Sequence, residues 1–426
     1  MSKKIGFWPV FSIVTGSQIG TGAFLFPATL SPFGFYSFFG WLLAGVGAVC
    51  LACVFANLSS IYSKNGGPHI YVEKIFGKNT AFFVGWTYWV ISWVSTSVVV
   101  ILSISFLKPF LGMHSEGFYV FLQILLLFSI TYLNISGVAI AGKVEFVLTL
   151  IKLFPLVIIP IICLYYFDSN NISLDFQYES KSHIYILAQV ISITLWGFIG
   201  LESATCSTSS VKNPSVTIPM AIVIGTSTVA VLYLFNSIAI MGMIPAKELS
   251  VSTTPYIVAI EKIAPGNWYL LIALISSISC IGSLNAWMMT SGQISLNLAE
   301  EGYFPKFFKK INKQSAPYIG LIIQSLLILP LLLLTADENI LNQLKKIIDF
   351  SVTAFLYVYL ICSISYIFIH IKSKRISFWK IFSTIIAIIF CITLILNAEL
   401  FVHLVVLSFI LSGIPLFVLN KRRTVR

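Results

Sequence analysis

A series of apolar segments, each long enough to cross a lipid bilayer, recurs along this chain from one end to the other. A membrane-spanning helix needs about 20 mainly apolar residues. The 426 residues are 58% hydrophobic and only 10% charged, whereas soluble domains carry roughly 25% charged residues. Because the polar side chains that would cover a large soluble core are missing, the sequence predicts an all-α polytopic membrane protein.

Twelve segments meet the length requirement for a span. They lie at about 8–31, 35–61, 80–107, 117–136, 142–167, 184–209, 217–243, 268–298, 318–335, 346–371, 377–396 and 400–420. An even number of spans places both termini on one side of the membrane. The connections on that side carry nineteen lysines and arginines and the other connections carry six, with Lys152 inside a span. The positive-inside rule therefore predicts that both termini face the cytoplasm.

The net charge of +11 does not indicate a nucleic-acid partner, because the basic residues lie in short connections where they orient the spans. The sequence has no GxxxxGK[ST] phosphate-binding loop, which argues against an ATP-driven pump. Its five histidines show no ligand spacing, and its seven cysteines lie inside apolar runs. We therefore predict no metal, no cofactor and no enzymatic activity, with the lipid bilayer and a small-molecule substrate as partners.

Two predicted spans contain glycines and polar residues at mid-membrane depth. The first span reads TGSQIGTGAF over residues 15–24, and the sixth reads TLWGFIGLES over residues 194–203. Unwound backbone is tolerated in a bilayer only where it lines protein or a water-filled cavity. Close helix packing at the glycines is the alternative interpretation. Because these spans hold equivalent positions in two five-span halves, the pattern favours a secondary transporter with inverted repeats and broken helices 1 and 6.

A broken helix offers complementary groups to a zwitterion. Amide N–H groups at the start of the outer half-helix, around Gly20–Ala23, are suited to a carboxylate. Free carbonyl groups near Gly16–Ile19 and Trp196–Ile199 are suited to an ammonium group. The two breaks therefore predict a site for an α-amino acid.

These segments resemble the amino acid–polyamine–organocation superfamily, and within it the basic amino acid/polyamine antiporter branch. The resemblance extends over about residues 5–420 and is carried by GSQIGTGAFLFPATL (16–30), LWGFIGLESA (195–204), VKNPSVTIPMA (211–221), GSLNAWMMTSGQ (282–293) and AEEGYFP (299–305). It implies a single transporter domain with two inverted five-helix repeats at about 8–167 and 184–371, and two peripheral helices at about 377–420. A homodimer is a further implication of the resemblance.

The resemblance also implies roles for individual residues. The implied substrate-binding residues are Ile19, Gly20, Thr21, Gly22, Tyr88, Thr96, Trp196, Ile199 and Trp287. Thr21 matches the position that holds the substrate carboxylate, Trp196 the outer gate and Trp287 a middle aromatic group. Tyr88 and Glu202 match the inner gate.

Four positions bear on the substrate and on coupling. Arginine/agmatine exchangers have asparagine where Thr96 aligns and serine where Gly197 aligns, which argues against arginine as the substrate. Glu73, in IYVEKIFG, matches a glutamate of the putrescine-type branch that the arginine/agmatine type lacks. Lys152 replaces a neutral residue of this branch and matches a fifth-helix lysine of broader superfamily members, where an amine takes the place of a sodium ion.

Glu202 and Lys152 are charged residues within predicted spans. A carboxylate at mid-helix costs about 2.5–3.5 kcal/mol to insert, so we interpret Glu202 as a proton carrier or a contact for a cationic substrate. A neutral structural acid is the alternative. Lys152 lies about 13 Å along a helix from Lys143, too deep to reach the interface easily. Two interpretations of Lys152 remain: it releases its proton during transport, or it is a permanent cation that excludes sodium and pairs with a helix C-terminal end.

The sequence thus predicts a secondary active amino acid transporter of the inner, cytoplasmic membrane. It is expected to exchange a cationic amino acid for a related amine or amino acid, of the arginine/agmatine or ornithine/putrescine type, by alternating access. The alternative is a proton-coupled amino acid uptake symporter, which Lys152 favours. A membrane sensor without transport activity and a channel are the other classes considered, and a channel would need a continuous polar pore that the sequence does not show.

Overall fold

The computed structural model describes residues 4–62, 66–112, 114–252, 254–264, 266–334, 340–372 and 377–424. Within these ranges the chain forms helices and two isolated β-bridges, Ile5–Val211 and Phe33–Leu174, without a β-strand. Eleven helical segments of the described chain are long and apolar enough to cross a membrane, and the shorter apolar helix Tyr318–Leu334 occupies the ninth predicted span. The prediction of an all-α polytopic fold is confirmed.

We number the helices by span. They are α1a (Phe7–Gln18), α1b (Thr21–Leu30), α2 (Tyr36–Ile61), α3 (Pro68–Ser105), α4 (Glu116–Ile135), α5 (Val138–Tyr165), α6 (His183–Leu195), α7 (Pro214–Met243), α8 (Trp268–Glu300), α9 (Tyr318–Leu334), α10 (Ile340–Lys372), α11 (Phe378–Asn397), α12a (Leu400–Leu411) and α12b (Ile414–Thr424). Two 3-10 segments follow α6, Trp196–Phe198 and Ser203–Ser210. Short helices in the connections are Lys108–Leu111, Ser169–Asn171, Phe176–Glu179, Ala246–Leu249, Pro255–Ile263 and Lys306–Lys309.

The third span begins well before its predicted start near residue 80. The helix α3 starts at Pro68 and is kinked at Gly77, whose φ of 78° is readily adopted only by glycine. The segment before the kink carries Glu73 and Lys74, and this charge is why an apolar window did not include it. The kink therefore separates a polar helical extension from the membrane-spanning part of α3.

The two broken helices lie at the centre of the helix bundle. The half-helix α1a contacts α5, α7 and α8, while α2 packs along α7. The helix α3 lies along α10, and α8 lies along α5. By contrast, α11 and α12a expose many large apolar side chains, including Phe378, Trp379, Leu396 and Leu400. Such exposure is expected of helices that face lipid.

Candidate functional site

The first break separates α1a from α1b at Ile19 and Gly20. Ile19 has extended backbone angles, with φ −81° and ψ 92°, and Gly20 has φ −130° and ψ −139°. The helix α1b begins at Thr21, and no side chain caps it. The first amides of a helix have no α-helical acceptor within it; of the amides at Gly20–Ala23, Ala23 N donates to Gly20 O at 3.3 Å. The Thr21 side chain lies outside the part of the chain that the structure describes.

The second break follows the 3-10 turn Trp196–Phe198. Ile199 is extended with ψ 134°, and Gly200 has φ +100°, in the region that favours glycine. The two breaks touch, because Ser17 Oγ lies 2.9 Å from Gly200 O and 2.9 Å from Ser203 Oγ. Both breaks therefore lie where the sequence predicts them, and they lie against each other.

A small cavity of about 20 Å³ lies between the two breaks. It is lined by Ser17, Gln18, Gly20, Ser95, Val99, Trp196, Ile199, Ser283 and Trp287. This volume is enough for about one water molecule. An amino acid or a diamine therefore requires the cavity to widen, as alternating access would provide.

Four of the predicted substrate-binding residues line this cavity: Gly20, Trp196, Ile199 and Trp287. The structure does not place Thr96 there, because its hydroxyl donates to Ser92 O at 2.6 Å within its own helix. The neighbouring face of α3 lines the cavity instead, through Ser95 and Val99. Ile19 contributes its backbone carbonyl beside the cavity, and a Cβ at Gly22 would lie 3.0 Å from Trp196 Cδ1.

The carbonyl groups at the end of α1a are not free, contrary to the expectation from the sequence. Lys152 Nζ donates to Gly16 O at 3.0 Å and to Ile19 O at 3.1 Å. Ser283 Oγ lies 2.8 Å and 2.7 Å from the same two oxygens. The expectation was wrong for these groups because α5 and α8, which are distant in sequence, bring donors to them.

The two intervening carbonyl groups are also occupied. Trp287 Nε1 donates to Ser17 O at 3.2 Å, and the Tyr233 hydroxyl donates to Gln18 O at 2.8 Å. All four backbone oxygens from residue 16 to residue 19 therefore accept from side chains of α5, α7 or α8.

Lys152 is completely buried beside a second buried charge, Glu145, at 3.4 Å. Asn285 Nδ2 donates to Glu145 Oε2 at 2.9 Å, and a Cβ at Gly16 would lie only 2.0 Å from Glu145 Oε1. The ion pair therefore packs directly on the first break. Lys152 thus contacts the C-terminal end of α1a, the arrangement expected of a permanent cation that pairs with a helix C-terminal end.

The sequence analysis missed Glu145. It follows Lys143 closely and lies near the predicted start of the fifth span, where charged residues are common and do not by themselves indicate a functional site. One signal was present: Glu145 and Lys152 are seven residues apart, so they lie on one face of a helix two turns apart.

Glu202 lies at the second break, where two tyrosines hold it. The Tyr88 hydroxyl donates to Glu202 Oε1 at 2.7 Å, and the Tyr359 hydroxyl donates to Oε2 at 2.5 Å. Tyr359 also accepts from the Gly200 amide at 3.3 Å. All three side chains are buried, and none of them lines the cavity. The structure thus brings the predicted inner-gate residues together and adds Tyr359, which the sequence analysis missed because the chain has 18 tyrosines.

Residues 5–419 match the family model described as amino acid permease. The chain belongs to the amino acid permease family. The resemblance seen in the sequence is confirmed, and the chain is a transporter rather than an enzyme.

Several relatives of this permease have named activities. The putrescine transporter PotE of Haemophilus influenzae is 30% identical over 385 residues, which cover 90% of this chain and 88% of the relative. The cadaverine/lysine antiporter of Escherichia coli K12 is 28% identical over 343 residues, covering 79% and 76%. The putrescine transporter PotE of Escherichia coli K12 is 28% identical over 361 residues, covering 84% and 82%.

Glu73 of this permease lies outside the cavity lining, before the kink in α3. It interacts with Tyr303, which belongs to the AEEGYFP segment in the connection between α8 and α9. Burial raises the pKa of Tyr303 well above its usual value, and the negative charge of Glu73 raises it further. This interaction links the helical extension before the kink in α3 to the connection between α8 and α9.

Proposed function

We propose that this permease exchanges a cationic amino acid for a related amine across the cytoplasmic membrane by alternating access. The observation that carries the proposal is the cavity at the meeting point of the two helix breaks, lined by Trp196 and Trp287. A desolvated tryptophan face attracts an alkylammonium group by about 2 kcal/mol. The named activities of the relatives, putrescine transport and cadaverine/lysine antiport, support a cationic substrate pair.

Binding and gating follow from the positions of the site residues. The amides at Gly20–Ala23 are proposed to hold a substrate carboxylate. Trp196 is proposed to close the site from outside. Tyr88, Glu202 and Tyr359 are proposed to close it from inside, because they lie at the second break in direct hydrogen-bond contact.

The proposed architecture has two inverted repeats, about 8–167 and 184–371, with peripheral helices at about 377–420. The equivalent packing of α3 on α10 and of α8 on α5 supports this division. The uneven distribution of basic residues supports cytoplasmic termini. A homodimer is part of the proposal through the family resemblance.

Proton-coupled amino acid uptake is the second candidate function. The buried Glu145–Lys152 pair favours it, because a proton passing from the ammonium to the carboxylate would leave two neutral groups without changing the net charge. In this mechanism transport would not require substrate on the opposite side.

Counterflow in proteoliposomes tests the two functions. Purified protein is reconstituted into vesicles that contain ornithine, lysine, putrescine, cadaverine, a neutral amino acid or buffer alone. We expect uptake of labelled cationic substrate only into vesicles that contain a cationic substrate. Uptake into vesicles with buffer alone, driven by an imposed proton gradient, would support the symporter. Uptake of neutral amino acids only would contradict the proposed substrate class.

A further inference from the structure

Gln18 lines the cavity, and its side chain ends in a buried carbonyl oxygen. Gln18 is the last residue of α1a and is 3% exposed. Its Nε2 donates to Val14 O at 3.2 Å and to Thr226 Oγ1 at 3.3 Å. Because Val14 O can only accept, the amide nitrogen must be the atom that faces it. Over the described residues, no donor contacts the other atom, Gln18 Oε1.

A buried acceptor without a donor is unfavourable, by about 1–3 kcal/mol, and such a group in a native protein calls for an explanation. At the first break, each backbone carbonyl group from residue 16 to residue 19 already accepts from a side chain. Gly16 O and Ile19 O both accept from Lys152 Nζ, and the single hydroxyl proton of Ser283 lies within reach of either oxygen. The α1a acceptors that the sequence offered to a substrate ammonium thus already have donors inside the protein, whereas Gln18 Oε1 has none over the described residues.

We propose that Gln18 Oε1 accepts a hydrogen bond from a primary ammonium group of the substrate, which makes Gln18 a specificity-determining residue. This inference rests on the proposed exchange of cationic substrates and deepens it. The nearby cation Lys152 does not prevent a second cation from approaching, because Glu145 pairs with Lys152 at 3.4 Å. The first break is therefore close to electrically neutral before the substrate enters.

A neutral acceptor suits an exchanger better than a carboxylate would at this position. An ammonium that leaves a buried carboxylate leaves behind an uncompensated charge, which is strongly unfavourable. When it leaves the Gln18 carbonyl, it leaves behind only an unpaired dipole, which costs about 1–3 kcal/mol. The carbonyl thus selects for an N–H donor while permitting the release step.

The chain provides a matched control in Gln324 of α9. Gln324 is also buried, its Nε2 donates to a backbone carbonyl, Met288 O, at 3.2 Å, and its Oε1 has no donor over the described residues. Unlike Gln18, it does not line the cavity. Gln324→Leu therefore reproduces the loss of a buried amide without touching the site.

The experiment measures KM in counterflow for lysine, ornithine, putrescine and cadaverine, with the wild type, Gln18→Leu, Gln18→Glu and Gln324→Leu in matched proteoliposomes. Gln18→Leu is expected to raise KM at least about tenfold, the effect of losing one hydrogen bond to a charged group. Gln18→Glu retains an oxygen at this position and should keep KM within about threefold of the wild type or lower it. Gln324→Leu should change KM less than about twofold.

A KM within about twofold of the wild type in Gln18→Leu, for every cationic substrate that the wild type exchanges, would overturn the role of Gln18 and leave the proposed exchange intact. A wild type that exchanges none of these substrates contradicts the proposed function itself. If Gln18→Leu does not insert, Gln18→Met gives the same measurement, because it keeps the length of the side chain and removes the amide.

Discussion

The two helix breaks differ in the chemistry that holds them. The first is held by a buried ion pair, since Lys152 reaches its carbonyl groups and Glu145 compensates the lysine. The second is held around a lone acid, Glu202, by the hydroxyl groups of Tyr88 and Tyr359. Breaking a buried ion pair costs about 3–5 kcal/mol, whereas a hydrogen bond to a charged group contributes about 1.5–3 kcal/mol. We therefore expect the first break to be the fixed side of the site and the second to rearrange during transport.

The largest effect should come from Lys152→Met, with a loss of about 3–5 kcal/mol in the free energy of unfolding, because it leaves the Glu145 carboxylate buried without its partner. The double variant Lys152→Met/Glu145→Leu should recover at least half of that loss. Denaturation of the purified proteins in detergent measures both. Equal stability of the single and double variants would show that the pair is not coupled.

Tyr88→Phe gives the matching measurement at the second break, with an expected loss of about 1.5–3 kcal/mol because its hydrogen bond to Glu202 is removed. A loss as large as that of Lys152→Met would contradict the difference between the breaks.

Gly20→Val should weaken substrate binding at least about tenfold while leaving membrane insertion intact, because overpacking a tight site costs about 1–3 kcal/mol. A Cβ at Gly20 would lie 2.8 Å from Ser283 Oγ and would push this hydroxyl off the carbonyl groups of α1a. Gly142→Val is the control, since a Cβ there meets nothing within 4 Å. Undiminished affinity in an inserted Gly20→Val variant would remove the first break from the site.

Glu202→Gln should abolish a several-fold dependence of the exchange rate on pH between about pH 5 and pH 8, while substrate binding remains measurable. The physical reason is that glutamine keeps most of the shape and hydrogen bonding but has no proton to exchange when the gate opens to water. Glu202→Ala should be slower still, because it also leaves both tyrosines without an acceptor. Counterflow of all three proteins over this pH range provides the measurement. A Glu202→Gln variant with the wild-type pH profile would identify the acid as structural.

We expect no effect on the exchange rate when sodium is replaced by potassium. Lys152 Nζ lies 3.0 Å and 3.1 Å from the carbonyl oxygens that a cation at the first break would need. Initial rates in the two salts at equal ionic strength give the comparison. A steep requirement for sodium would indicate a metal site elsewhere in the protein.

The helices and both breaks were predictable because they depend on local sequence. Long apolar runs define the spans, and glycines beside polar residues at mid-membrane depth define the breaks. The pairing of Tyr88 with Glu202 followed from the family resemblance. Predicting these features does not require the relative rotation of one helix against another.

The contacts that complete the site depend on rotation and packing, and the sequence does not contain them in readable form. Whether Ser95 or Thr96 faces the cavity is decided by a rotation of about 100° around α3, which composition cannot reveal. Occupation of the α1a carbonyl groups requires Lys152 and Ser283 to converge from two distant helices. A glycine-rich pattern in one segment predicts carbonyl groups without a helical partner. Only the folded bundle shows which side chains donate to them.

The neutrality of the Glu145–Lys152 pair has a consequence for the energy source of transport. If the pair keeps its charges throughout the cycle and Glu202 carries no proton across, the charge that crosses the membrane equals the charge of the substrates alone. Exchange of a dicationic diamine for a monocationic amino acid then moves one net positive charge per cycle. A membrane voltage of 100 mV contributes about 2.3 kcal/mol for each such charge. The voltage would therefore favour diamine entry and amino acid exit, and export of the diamine would depend on the concentration gradients to overcome it.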